Sequence, residues 1–194
     1  MIFMYICISI VNRASKLTMF RKLYNEELGR IGVEEYKNSA KAPVAVVLDN
    51  VRSGHNVGSA FRTCDAFRIS KIFLCGICAV PPSPEIHKTA LGAAFSVDWE
   101  HCDSTIDVAR RLKAEGWTLV GVEQAEHSTM LQDFAIEEAR RYAFVFGNEV
   151  NGVAQEVMDL CDIALEIPQQ GTKHSLNVSV SVGIVLWNII RRII

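Results

Sequence analysis

Apolar and polar positions change period several times along this chain, and each change marks an element. At 163–167, Ile163, Leu165 and Ile167 alternate with Ala164 and Glu166, the two-residue period of a strand. Pro168 closes it, because proline cannot donate to a continuing sheet. At 44–48 the residues are apolar without alternation, as expected of a parallel strand buried on both faces. Further strands are predicted at 71–74, 117–122 and 142–146. Helical spacing is predicted at 20–36, where Leu23, Leu28, Ile31 and Val33 mix with Arg21, Lys22 and Arg30, and a linker follows at 37–43. A loop holding Gly54, Asn56 and Gly58 then leads into a helix with Ala60, Phe61, Cys64 and Phe67 at core spacing. A proline-marked loop (Pro81, Pro82, Pro84) precedes a short helix at 88–93. Other helices are predicted at 105–115, with Ile106, Val108, Ala109 and Leu112 inward, and at 153–160.

The last long segment is ambiguous in period. Leu176, Val178, Val180 and Val182 alternate with Asn177, Ser179 and Ser181, which is the strand template. Beyond Val182 the alternation fails, and Ile184, Val185, Leu186, Ile189 and Ile190 form a broad helical face. Ser175 and Asn177 are good capping side chains at its mouth, so the segment is read as a helix. Strands alternating with helices at these lengths imply an α/β fold whose parallel sheet is covered on both sides.

A length of 194 residues suits one domain, or one with a small appendage, and 49% hydrophobic residues provide a substantial core. The formal net charge of −2 lacks the whole-chain basic signal of a nucleic-acid binder, so an RNA site must be a local patch or a product of oligomerisation. Six cysteines (7, 64, 75, 78, 102, 161) are scattered through apolar segments, and Cys75-Gly-Ile-Cys78 alone has metal or redox spacing. With no second pair beside it, no metal is expected, and buried free thiols in a reducing cytoplasm are the better reading. The apolar start, residues 1–11, is too short to span a bilayer and lacks a basic region, so neither a membrane span nor a signal peptide is expected. It reads as an added edge strand, or as sequence upstream of a true start at Met19.

In open α/β sheets ligands sit beyond the carboxyl ends of the strands. Three polar, glycine-bearing loops fall there: 50–62, 147–152 and 169–177. Any one alone is ordinary turn chemistry; three on neighbouring strands argue for a site. The first is neither a phosphate-clamping Gly-Lys-Ser/Thr loop nor a dinucleotide fingerprint. Arg62 lies one helical turn past Gly58, and could instead pair with Asp65 or Asp49 at the surface. Glu149 sits in a glycine-rich bend, where a carboxylate commonly caps a helix or holds a neighbouring loop. His55 and His174 lie in loops with no partner that would make a nucleophilic triad.

The three loops, in order, resemble the three motifs of the SpoU/TrmH branch of SPOUT methyltransferases. They are Asn56-Val57-Gly58 through Arg62 with Asp65-Ala66-Phe67; Phe146-Gly147-Asn148-Glu149-Val150-Asn151-Gly152; and Ile167-Pro168 through Ser175-Leu176-Asn177-Val178-Ser179-Val180. Lys88-Thr89-Ala90-Leu91-Gly92-Ala93 is similar to that family's middle segment, and the likeness runs from about Val44 to Arg191. It implies a trefoil-knotted α/β domain at 43–194 with a short N-terminal helical extension at 1–42. It also implies a homodimer that moves a methyl group from S-adenosylmethionine to a ribose 2′-hydroxyl of RNA. By the same resemblance Glu123, Gly147, Ile167 and Leu176 line the cofactor pocket, and Arg62, Asn56, Glu149, Ser175 and Asn177 are the catalytic positions. The short form suggests tRNA ahead of rRNA as the target. Without a separate RNA-binding domain, the grip would come from Arg13, Lys16, Arg21, Lys22, Arg30 and the Arg52, Arg62 and Arg68 group. A non-catalytic S-adenosylmethionine- or RNA-binding protein on the same fold is the alternative, and a dinucleotide binder a distant third.

Overall fold

The computed structural model describes residues 20–137 and 139–193. The chain divides into two compact units, one ending at Gly32 and the other running from Val33. The expected edge strand at the N-terminus lies outside the described residues. The long helix expected at 20–36 does not form. A 3-10 turn spans Asn25–Leu28, and Gly29 follows it in the left-handed region at φ 59°, where glycine is favoured and a helix cannot continue. Leu23, Leu28 and Val33 are all exposed, so the apparent apolar face is not used within the described fold of either unit.

The larger unit begins with α1 (Val33–Asn38) and continues β1 (Ala42–Asp49), α2 (Gly54–Ala66), β2 (Ile69–Cys75), α3 (Pro84–Ala90), α4 (Ala93–Ser96), β3 (Trp99–Cys102) and α5 (Thr105–Ala114). Then come β4 (Trp117–Val122), β5 (Thr129–Met130), β6 (Arg141–Phe146), α6 (Gln155–Met158), β7 (Ile163–Glu166) and α7 (Val178–Ile190). The seven strands form one sheet in the order β3-β2-β1-β6-β4-β7-β5, every pair parallel. The predicted α/β class and the strands at 44–48, 71–74, 117–122, 142–146 and 163–167 are all present. β3 and β5 escape the pattern. β3 carries Glu100 and His101 on a half-buried edge, and β5 has two residues, too few for any period.

Alternation in β1 sorts the core into two layers. Ala45 and Val47 pack with Val108, Ala109, Leu112 and Val157 of α5 and α6 on one face. Val44, Val46 and Leu48 point to the other face, and α2 and α7 pack against each other, with Val57, Phe61, Val182, Val185 and Ile189 buried. The stretch expected as a loop at Gly54–Gly58 is already helix. Ser53 caps it by accepting the Asn56 N–H at 3.3 Å. Gly58 serves close approach: a Cβ there would lie 2.6 Å from the Ile86 carbonyl oxygen of α3. The helix expected at 88–93 is broken at Leu91, which turns left-handed at φ 50°, so Lys88 and Thr89 belong to α3 and Ala93 opens α4. The helix expected at 153–160 is reduced to Gln155–Met158.

On the sheet edge, Glu100 takes Arg111 Nη1 and Lys71 Nζ, each at 2.7 Å. Arg111 first, then Lys71, hold its carboxyl at about 2 against an ordinary 4.5. A carboxyl whose pKa is lowered on folding stabilises the fold above its unfolded pKa and loses that contribution as pH falls through the folded one. Glu100→Gln should therefore flatten the fall in stability between pH 4.5 and about 2. Denaturant melts at both ends of that window check it, and equal slopes for variant and wild type would remove Glu100 from acid stability.

Candidate active site

The strand order sets the site. Leaving β1, the chain builds outward through β2 and β3 on one side and through β6, β4, β7 and β5 on the other. The carboxyl ends of β1, β6, β4 and β7 therefore stand side by side, at the reversal point where open α/β sheets hold their ligands. A cleft of about 300 Å³ opens there. Val122, Phe146, Leu165 and Val178 supply apolar surface, and Gln124, Asn148, Asn151, Gln169 and Ser181 supply polar edges. All four residues expected around a cofactor, Glu123, Gly147, Ile167 and Leu176, line it, as do Glu149 and Ser175.

The second loop is wound tightly over β6. Asn148 and Gly152 exchange two backbone hydrogen bonds, both at 3.1 Å, and Asn148 Oδ1 accepts the N–H groups of Val150 and Asn151 at 3.0 and 2.9 Å. Gly147 has no room for a side chain, since its Cβ would lie 1.8 Å from the carbonyl carbon of Gly152. The third loop reaches the cleft through Gln124, whose Nε2 donates to the His174 carbonyl at 2.6 Å. Asn177 then caps α7, its Oδ1 accepting from Ser179 N at 2.9 Å and Ser179 Oγ at 2.7 Å.

Three of the five expected catalytic residues meet. Asn56 Nδ2 donates to Glu149 Oε1 at 2.6 Å, and Asn177 Nδ2 donates to Asn56 Oδ1 at 3.1 Å. This chain joins one residue from each loop and has a fixed direction. The carboxylate only accepts, so Asn56 must turn its NH₂ to Glu149 and its oxygen to Asn177. Asn177 then offers its own oxygen to the helix cap. Glu149 thus holds a neighbouring loop, as a carboxylate in such a bend often does.

Ser175 stands on the cleft wall outside this chain of bonds, and Arg62 outside the cleft. Arg62 is exposed on α2, six residues past Asn56 and hence roughly 9 Å further along the axis. The surface pairs open to it from the sequence do not form. Asp65 Oδ1 accepts from Ser96 Oγ, and Asp49 is buried with other partners. Among the described residues the Arg62 guanidinium has no hydrogen bond or ion pair. Of the basic residues expected to grip a substrate, Arg21 is bonded to Glu27 at 2.7 Å, Arg52 and Arg68 are exposed, and Arg13 and Lys16 lie outside the described residues.

The Cys75–Cys78 pair is structural. Cys78 Sγ accepts from Val51 N at 3.1 Å and donates to the Leu48 carbonyl at 3.2 Å. Burial pushes the Cys78 thiol up to about 11 and raises Cys75 further. Among the described residues no group of three His, Cys, Asp or Glu side chains could hold a metal ion, and no helix is long and apolar enough to cross a membrane. Asp49, expected from the sequence only as a surface partner for Arg62, and Thr105, not expected at all, tie β1 to α5 and to Ala154 just past the second loop. Their signal was slight: one carboxylate at the end of an apolar run.

Residues 43–187 match the sequence model of the SpoU rRNA Methylase family. The chain belongs to that family. Among its SpoU relatives, the 23S rRNA (guanosine-2′-O-)-methyltransferase RlmB of Nitrosomonas europaea is 33% identical over 147 residues, covering 76% of this chain and 55% of the relative. An AdoMet-bound rRNA methyltransferase from Sinorhizobium meliloti superposes with a TM-score of 0.74 at 27% identity, covering 82% of this chain and 60% of that one. The A. aeolicus TrmH/SpoU tRNA modifying enzyme superposes at 0.71, also with 27% identity, over 82% of this chain and 79% of that one. This chain spans between 55% and 65% of the length of the curated relatives first matched.

Proposed function

We propose that this chain is an S-adenosylmethionine-dependent methyltransferase acting on ribose 2′-hydroxyls of RNA, with residues 43–194 as the catalytic domain and 1–42 as an extension. The observation that carries the reading is the cleft at the ends of β4, β6 and β7, lined by the second and third SpoU motifs, with Asn56 of the first bonded to Glu149 on its wall. Its volume, about 300 Å³, matches the lower end of small-ligand sites, and it combines apolar walls with a few polar groups. The pinched backbone at Gly147 leaves peptide groups, and no side chain, facing a ligand there. When bound, S-adenosylmethionine supplies an electrophilic methyl group on a sulfonium.

The residues of the chain divide the remaining work. Gly147, Ile167 and Leu176 hold the cofactor along the cleft, and Glu123 closes one end. Glu149, Asn56 and Asn177 lock the three loops together, and Ser175 offers a hydroxyl from the wall. Arg62 stays protonated and so is no base. It holds a substrate phosphate and stabilises the alkoxide that develops at the 2′-oxygen, whose proton leaves to phosphate or water. The trefoil threading implied by the resemblance is part of this reading. It supposes that the segment after Ile167 passes through an earlier loop before α7 begins.

Calorimetry with S-adenosylmethionine, and with NAD as a control, tests the cofactor. Mass-spectrometric mapping of ribose methylation in tRNA and rRNA from cells lacking the protein tests the reaction. Relatives named for 23S rRNA and a structural neighbour named for tRNA support the two targets equally, so tRNA no longer leads. Loss of 2′-O-methylation at one tRNA or rRNA nucleotide is the expected result. Cofactor binding with no missing methyl group would favour the non-catalytic reading. The cytoplasm, where such RNA is processed, is the proposed location.

We also propose a homodimer. α7 leaves Val180, Ile184 and Trp187 exposed at 49%, 37% and 54%, spaced as one stripe opposite its buried face. A stripe of this kind fits a second copy. Light scattering at micromolar concentration should give twice the chain mass. Trp187→Glu should reduce it to one, and a monomeric wild type would overturn the proposal.

A further inference from the structure

Two carboxylates outside the loops grip the same short piece of backbone. Asp49, at the end of β1, is 1% exposed. Its Oδ1 accepts from Thr105 Oγ1 at 2.5 Å and Asn50 Nδ2 at 2.8 Å, and its Oδ2 accepts from Ala154 N at 3.0 Å. Glu123, just past β4, accepts from Val153 N at 3.1 Å on Oε2. Val153 and Ala154 are consecutive, and they close the loop that starts at Gly147. That loop leaves β6, and β6 lies between β1 and β4. The two carboxylates therefore hold it from the strands on either side of its own.

We propose that Asp49 is a positioning residue for the cofactor cleft: through Ala154 it sets where the 147–152 loop stands, and so where Glu149 meets Asn56. The inference rests on the reading of that cleft given above. Asp49 itself does not line it. Three donors converge on Asp49, and a carboxylate can accept all three. An amide cannot, since either orientation sets its NH₂ against Ala154 N or Asn50 Nδ2. Charge-assisted bonds to backbone N–H groups are also about twice as strong as neutral ones. A buried carboxylate with both oxygens filled is a firm anchor, whereas one left unpaired would be costly.

Three variants test this: Asp49→Asn, Ala154→Pro and Ile69→Val. Ala154 has φ −57°, which suits proline, so Ala154→Pro deletes the amide donor without asking the backbone to turn. Ile69 is fully buried at the start of β2, far along the sheet from the cleft, and serves as a stability control. Amide exchange of residues 148–153 is followed in the ligand-free proteins, with thermal midpoints and S-adenosylmethionine dissociation constants measured alongside. In Asp49→Asn and Ala154→Pro the loop amides should exchange faster and the dissociation constant rise at least about tenfold, whereas Ile69→Val should lower the midpoint and leave the constant within about twofold. Unchanged loop exchange and affinity in Ala154→Pro would overturn the proposal, as would an affinity loss in Ile69→Val that matches the other two. Should Asp49→Asn not fold, Ala154→Pro decides alone, because it leaves Asp49 in place. A wild-type protein that binds no S-adenosylmethionine would refute the cleft reading instead, and loop exchange would still judge the clamp.

Discussion

Replacing Arg62 with Ala should lower methyl-transfer turnover by about a hundredfold or more, the scale of losing one oxyanion donor, with S-adenosylmethionine affinity changed by less than about twofold. The split follows from placement. The residues proposed to hold the cofactor line a cleft that Arg62 does not touch. Arg62 is exposed on α2 with no hydrogen-bond or ion-pair partner among the described residues, so its loss breaks no polar contact there. A surface ion pair would have been the ordinary alternative, worth less than about 1 kcal/mol, but Asp65 and Asp49 are both engaged elsewhere. Arg62→Lys sharpens the test. One ammonium cannot reproduce a planar fork that spans a phosphate and an alkoxide, so the Lys variant should be severely impaired as well. Single-turnover kinetics with saturating cofactor measure both. A Lys variant with wild-type turnover would mean that Arg62 supplies charge alone, and the alkoxide role would have to be given up.

The mirror-image outcome is expected at Gly147. Gly147→Ala should abolish measurable S-adenosylmethionine binding and lower stability by about 1–3 kcal/mol, the usual cost of overpacking. Its Cβ would lie 1.8 Å from Gly152 C and 2.1 Å from Val153 N, and both contacts are backbone. No side-chain rotation relieves them. The loop must open, which breaks the paired bonds between Asn148 and Gly152 and moves Val153 away from Glu123. Calorimetry and a thermal melt on the same preparation check the two parts. Tight binding in a destabilised variant would mean that the loop relaxes away from the cleft and that residue 147 is no part of its wall.

The two substitutions show what kind of information the sequence held. Gly147 and Arg62 were both expected at the site from the resemblance to SpoU/TrmH enzymes, yet their surroundings were not. Alternation and apolar runs determined the α/β class and strands β1, β2, β4, β6 and β7, because each reports burial of residues near in sequence, whereas the final helix, whose alternation fits a strand, was read from its capping side chains. The same local signal misled at 20–36, where helical spacing was interrupted by Gly29, and at Gly54–Gly58, where glycines that resembled a turn serve helix packing. The edge strands β3 and β5 were lost for the opposite reason: half-buried or two-residue strands carry almost no period.

The sequence by itself named the residues expected at the site, since three ordered motifs require no knowledge of distance. Only the tertiary structure decided how they act on one another. Asn56 and Glu149 are 93 residues apart, and Asn177 is 121 residues from Asn56, so their chain of hydrogen bonds has no local trace. The same holds for Asp49 and Ala154, 105 residues apart, joined because the parallel order sets β1 beside β6. Burial pattern is written along the chain one residue at a time, whereas the pairing of distant polar groups depends on strand order, which no local period encodes.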